Sequence, residues 1–153
     1  MIETLMLLTV LVLGVAAGAL LAEAFILVPM WQSMEASAFL AWYKANASRL
    51  VRFFAPLEIA AVLAPGLATA VLWFEGSPGP ADLAYLGSAT VLSLFVLVSF
   101  PLYFRDANAS FAEATIELDD VPKELRRWER WHWIRTIVAS LAFIVSILAE
   151  RGV

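Results

Sequence analysis

Four long apolar runs dominate this sequence: Leu5 to Met30, Phe53 to Phe74, Leu83 to Phe104 and Trp131 to Ala149. About 20 apolar residues in a helix cover the roughly 30 Å hydrocarbon core of a bilayer. In hydrocarbon every backbone N–H and C=O must be paired within the protein, so runs of this length and composition resolve into helices. The expected fold is all-α, a four-transmembrane-helix bundle forming a single integral membrane domain over residues 1–153. Composition agrees, because 62% of the residues are hydrophobic and only 16% charged, against roughly 25% charged in soluble domains. The start, Met1-Ile2-Glu3-Thr4, has no basic region, and the first run continues past signal-peptide length. It is expected to be a retained helix.

Charge orients the bundle. Lys44, Arg49 and Arg52 lie between or beside the first two runs, and Arg105, Lys123, Arg126, Arg127, Arg130 and Arg135 lie around the link between the last two. The link Glu75 to Asp82 has neither Lys nor Arg. By the positive-inside rule the basic links are cytoplasmic and both termini are outside. A cell membrane is the expected location, with a bacterial inner membrane as the setting. The chain has no cysteine, which excludes disulfides, thiolate metal sites and thiol nucleophiles.

Punctuation sets the helix ends. Pro29 and Trp31-Gln32-Ser33 are expected to close the first span, and Gly76-Ser77-Pro78-Gly79-Pro80 the second. Between them, Phe39, Leu40, Tyr43, Ala47 and Leu50 recur at helical spacing, predicting an interfacial helix or a long extension of helix two. Pro65-Gly66 should bend the second span. The link Arg105 to Arg130 reads as the longest polar segment, with an acidic half before a basic half that predicts local pairing or a lid. Gly14-x-x-x-Gly18-x-x-x-Ala22 allows close helix approach, read as packing within the monomer.

Two of the apolar runs each carry one carboxylate, Glu23 and Glu58. An ionisable group at that depth costs about 2.5–3.5 kcal/mol even on lenient insertion scales, so it should face a partner or a cavity. The fourth run opens on Arg126-Arg127-Trp128-Glu129-Arg130-Trp131-His132-Trp133-Ile134-Arg135, where Trp128, His132, Arg135 and Ala139 share one helical stripe and Glu129 is placed to meet His132. Counting from the cytoplasmic ends at 1.5 Å per residue places Glu23, Glu58, His132 and Arg135 within a layer roughly 10 Å deep. They are expected to share a pocket, with Tyr103, Arg105 and Asn108 at its mouth. The competing readings are an interfacial belt for the tryptophans and a purely structural cluster in which Arg135 neutralises one Glu.

Pro101-Leu102-Tyr103 with Asn108, then Arg127-Trp128-Glu129-Arg130 with His132 and Arg135, followed by apolar Thr136 to Leu148, resembles the anthrone oxygenase-like family of small four-helix membrane proteins. The small-residue first helix and Phe53-Phe54-Ala55-Pro56 add to the resemblance. It implies oxygenation of an activated carbon acid on a hydrophobic aromatic or quinone-like molecule, with no cofactor. In that reading His132 is the base, since an imidazole titrates near working pH. Arg135 or Asn108 stabilises the anionic oxygen, Glu58, Glu23 or Glu129 orients the imidazole, and Trp128 or Trp131 forms an apolar wall.

A di-iron carboxylate bundle needs two Glu-x-x-His pairs besides two further Glu, and this chain offers only Glu129-x-x-His132; a carboxylate/His-bound metal is therefore the lesser alternative. No phosphate loop, serine elbow or nucleic-acid motif is present. Asn46-Ala47-Ser48 and Asn108-Ala109-Ser110 match glycosylation acceptors but fall on the expected cytoplasmic side. The non-enzyme alternative is a transporter or accessory subunit in which Glu23 and Glu58 bind a proton or ligand, a reading that calls for a homo-oligomer or a partner. The topology has a direct test: with Ser77→Cys and Lys123→Cys, a membrane-impermeant thiol reagent should label the two positions from opposite sides. Labelling from one side would overturn it.

Overall fold

The computed structural model describes residues 2–75 and 80–150. Among these, four helical rods are long and apolar enough to cross a membrane: Ile2–Gln32, Ala36–Phe74, Asp82–Ala112 and Leu118–Ala149. The described residues form no strand, and the protein is a multi-pass all-helical membrane protein. The first rod comprises α1 (Ile2–Ala22), a π-helical turn (Glu23–Leu27) and α2 (Val28–Gln32). The second is α3 (Ala36–Glu75), and the third is α4 (Pro80–Ser99), a second π turn (Phe100–Phe104) and α5 (Arg105–Ala112). A 3-10 turn (Leu118–Asp120) leads into α6 (Val121–Glu150), the last rod.

The helix end expected at Pro29 proves to be absorbed. Proline removes a backbone donor and crowds the preceding turn, yet the first rod continues through Pro29 to Gln32. The π turn just before it changes the hydrogen-bond register, with Val28 N–H donating to the Glu23 carbonyl. Pro101 lies inside the second π turn, where Arg105 N–H reaches back to Phe100 O. The reversal after Gln32 is held by Ser33, whose Oγ donates to Met30 O at 2.7 Å. α3 then runs for 40 residues, through Pro56 and Pro65, so segment 36–52 is continuous with the second rod and forms no separate element. The turn cluster 76–79 lies outside the described residues.

The supposed polar link 105–130 is largely helical, because α5 prolongs the third rod and α6 begins at Val121. What ends α5 is Ala114, at φ 53, a left-handed conformation that halts a helix. Pairing of the acidic half with the basic half is not seen. The ion pairs in this region are Arg105 with Asp106, 2.9 Å apart, and Arg127 with Glu124, 3.9 Å apart, each within one helix.

Packing follows a square. α1 and α4 each contact both α3 and α6, whereas α3 and α6 face each other across the diagonal with little direct contact. Away from the link between α2 and α3, the core is layered and built from small residues: Leu13, Ala16, Ala61, Ala89 and Ala142 form one layer, and Met6, Ala68, Leu72, Leu86 and Ala149 the next. At the opposite end a large aromatic cluster joins Trp31, Phe39, Tyr43, Phe104, Phe111 and Trp128. Leu11, Phe25, Val91 and Ile137 are among many large apolar side chains that point outward, as expected where the solvent is lipid.

Of the small-residue series on α1, only Gly14 makes a close approach. A Cβ there would lie 3.0 Å from the Phe143 ring, while one at Gly18 would meet nothing within 4 Å. Gly14→Leu should therefore lower stability by about 1–3 kcal/mol through overpacking, read as a drop in thermal midpoint in detergent. Gly18→Ala should leave the midpoint unchanged or raise it.

Candidate functional site

The site lies where the small-residue layers give way to the aromatic cluster, and five side chains from three helical rods define it. α6 presents Trp128, His132 and Arg135 at intervals of four and three, so all three point inward and all are buried. From α3 comes Glu58, and from the first π turn comes Glu23, its opening residue.

Arg135 and Glu58 form a buried ion pair, Nη2 of the guanidinium donating to Oε1 of the carboxylate. The guanidinium carbon also lies 4.6 Å from the centroid of the Phe104 ring, within cation–π range. His132 is enclosed completely. Its Nε2–H donates to the Leu20 carbonyl at 3.0 Å, which leaves Nδ1 with its lone pair free. That nitrogen stands 3.6 Å from Glu23 Oε2 and makes no hydrogen bond to the described residues. The Trp128 ring stacks on the imidazole, centroids 4.9 Å apart and planes 16° from parallel. Its Nε1–H donates to Asn108 Oδ1 at 2.9 Å, so the Asn108 amide NH₂ is the part of that side chain left to meet a ligand.

A cavity of about 450 Å³ opens beside this cluster, its walls including Glu23, Tyr43, Glu58, Asn108, Trp128 and Arg135. Leu50, Phe54, Leu97 and Phe100 make much of the remaining surface. Ligand pockets fall in the range of about 300–1,000 Å³, with mostly apolar walls and a few convergent polar groups. Exposed Val51 and Ile59 on α3 and exposed Arg105 on α5 mark its opening on the α3/α5 side. A second groove of about 430 Å³ lies between α1 and α3 and shares Glu23, Leu50 and Phe54 with the first.

The sequence placed Glu23, Glu58, His132 and Arg135 in one layer, and the structure brings these four together. Other expectations change. His132 is not among the cavity walls and lies behind Glu23 and Trp128, which are. Glu129 does not meet His132; it accepts a 2.8 Å hydrogen bond from Gln32 Nε2, because it projects from a different face of α6. Tyr103 and Trp131 stand apart from the cavity, stacked on each other at 5.5 Å, with Tyr103 Oη–H donating to Glu124 at 2.8 Å. Tyr43 was overlooked as a wall residue. Its signal was the stripe Tyr43, Ala47, Leu50, Phe54 and Glu58, spaced by four, three, four and four along one helix. No group of three or more metal-ligating side chains occurs among the described residues.

Burial makes the ion pair testable by its energetics. Arg135→Ala or Glu58→Gln alone strands a charge or a polar group and should destabilise by about 3–5 kcal/mol. The double variant Arg135→Met with Glu58→Leu should recover most of that loss. Unchanged thermal midpoints in both single variants would show that the pair is hydrated and energetically idle.

The family described as Anthrone oxygenase matches residues 42–145, a stretch containing every site residue named above except Glu23. No curated protein and no solved structure matches the chain. Since the match covers more than half of the sequence and the four-helix architecture agrees with it, this chain belongs to the anthrone oxygenase family.

Proposed function

We propose that the protein oxygenates a flat, hydrophobic carbon acid of the anthrone type, taken from the bilayer into the 450 Å³ cavity. The observation that carries this reading is the lining of the cavity: a carboxylate able to take a proton and cationic and amide donors able to hold an oxyanion, set in an aromatic and aliphatic wall. Such a substrate has a CH₂ flanked by two aromatic rings and conjugated to a ketone. Glu23 removes one of its protons, leaving an anion whose charge resides largely on the ketone oxygen. Arg135 and the Asn108 amide face that oxygen, in the manner of an oxyanion hole. Molecular oxygen takes electrons from the anion and bonds to the carbon, giving a peroxide that is protonated by the acid form of Glu23. Loss of the second C–H proton with cleavage of the O–O bond gives a new ketone and water. One CH₂ and one O₂ become one C=O and one H₂O.

In this scheme His132 acts through Glu23: its Nδ1 lone pair faces the carboxylate and shares the proton Glu23 has taken, which returns to Glu23 for the protonation of the peroxide, while Nε2 is held by Leu20 O. The scheme calls on no resident cofactor, since the substrate anion reduces oxygen itself. The setting is a cell membrane, with the site on the cytoplasmic side by the charge rule. The alternative of a transporter or accessory subunit asks Glu23 and Glu58 to be free for a carried proton or cation. Glu58 is already engaged by Arg135, which favours the enzyme.

The test uses 1,8-dihydroxyanthrone with the purified protein in lipid nanodiscs, following anthraquinone absorbance in air. Turnover above empty nanodiscs is expected, and it should fall by about 10²-fold or more in Glu23→Gln with unaltered thermal stability. A wild-type rate equal to that of empty nanodiscs would defeat the substrate class. Full activity in Glu23→Gln would remove the proposed base.

A further inference from the structure

A second, much smaller cavity of about 20 Å³ lies on the far side of Glu58 from the large one, sharing only Phe54 and Glu58 with it. Its other walls are Leu13, Leu20, Leu57, Val96 and three alanines, plus one further polar residue, Ser93 of α4. Ser93 is 4% exposed, and its Oγ has no hydrogen-bond partner among the described residues.

That hydroxyl is anomalous for its setting. Thr9, Thr90, Ser99, Thr136, Ser140 and Ser146 are also buried or half-buried on helices, and each returns its hydroxyl to a carbonyl three or four residues back. This is the usual refuge of Ser and Thr in apolar helices. Ser93 makes no such bond and lines the cavity instead. Glu58 poses the complementary problem. A carboxylate offers about four lone-pair sites, and Arg135 engages Oε1. A buried ion pair holds only when the remaining lone pairs are also satisfied.

We propose that Ser93 and Glu58 together bind one water molecule in this cavity, and that Ser93 is thereby a positioning residue for the Glu58–Arg135 pair. Size and chemistry agree. A single water needs roughly 10–15 Å³ of such space and at least two polar partners, and the cavity supplies both while being too small for an organic ligand. The water donates to Glu58 on the side Arg135 does not reach and takes or gives a hydrogen bond at Ser93 Oγ. The carboxylate is thus tethered from two directions, and with it the guanidinium on the wall of the large cavity. Every other wall residue is apolar, so Ser93 and Glu58 are the partners that hold the water in place.

This assignment stands apart from the oxygenase reading and is tested without turnover. In a structure of the full chain at a resolution that shows ordered water, a peak is expected within about 2.6–3.2 Å of both Ser93 Oγ and a Glu58 carboxylate oxygen. It should vanish in Ser93→Ala and persist in Ser93→Thr. By solid-state NMR the Glu58 Cδ resonance, identified by its loss in Glu58→Gln, should move in Ser93→Ala and keep its position in Ser93→Thr. A dry cavity that takes up xenon under pressure in the wild-type protein would overturn the proposal. So would a peak bonded to Ser93 alone, or a Glu58 resonance indifferent to Ser93→Ala.

Discussion

The diagonal of the bundle is spanned by one ion pair. α3 and α6 are opposite members of the square and scarcely touch, yet Glu58 and Arg135 reach each other between them. An apolar contact across that diagonal would close the space. A pair of long polar side chains spans it and leaves room at its flank, so the interaction that holds the opposite helices in register also keeps the large cavity open. In lipid, hydrophobic burial contributes little to helix association, and packing and interhelical polar contacts carry more of the load. The alanine layers pack the other half of the bundle, and the large cavity lies at the level of the ion pair.

Both π turns fall at that level. Such turns are frequent at functional sites because the extra residue redirects a side chain. Here one turn begins with Glu23 and the other contains Tyr103 and Phe104. In a regular α-helix Pro29 or Pro101 would force a kink; the wider turns accept the prolines and aim Glu23 at His132 and Phe104 at Arg135. Helix continuity and site geometry therefore have a common origin in the backbone near two prolines.

How much of this was legible in the sequence depends on the range of the interaction. The rods were legible because hydrocarbon imposes one solution on a long apolar run. The convergence of Glu23, Glu58, His132 and Arg135 was legible because depth in a bilayer is counted in residues, and groups too costly for lipid must turn inward. Azimuth was not. Whether Glu129 or Glu23 stands nearest His132 depends on which helices adjoin α6, and no local spacing records that. Tyr103 and Trp131 failed as wall residues for the same reason: they share the right depth but face the Arg127 and Glu124 side of α6. Pro29 misled because the π turn before it changes the hydrogen-bond register and the rod continues through the proline.

α3 has a consequence for traffic through the site. Its 40 residues extend about 60 Å at 1.5 Å per residue, about twice the hydrocarbon thickness of a bilayer. A rod of that length extends beyond the oil, and Tyr43, Leu50, Phe54 and Glu58 run from near its start to just past its midpoint. The wall that α3 gives the cavity thus reaches from mid-rod toward the end where α2 turns into α3. On the proposed oxygenase function, a greasy reactant is drawn from the oil phase, as in a liquid–liquid extraction, while hydrogen ions equilibrate with the aqueous phase a few turns away. Under the same proposal, chemistry on such a wall lets a small bundle handle two reagents that never share a solvent.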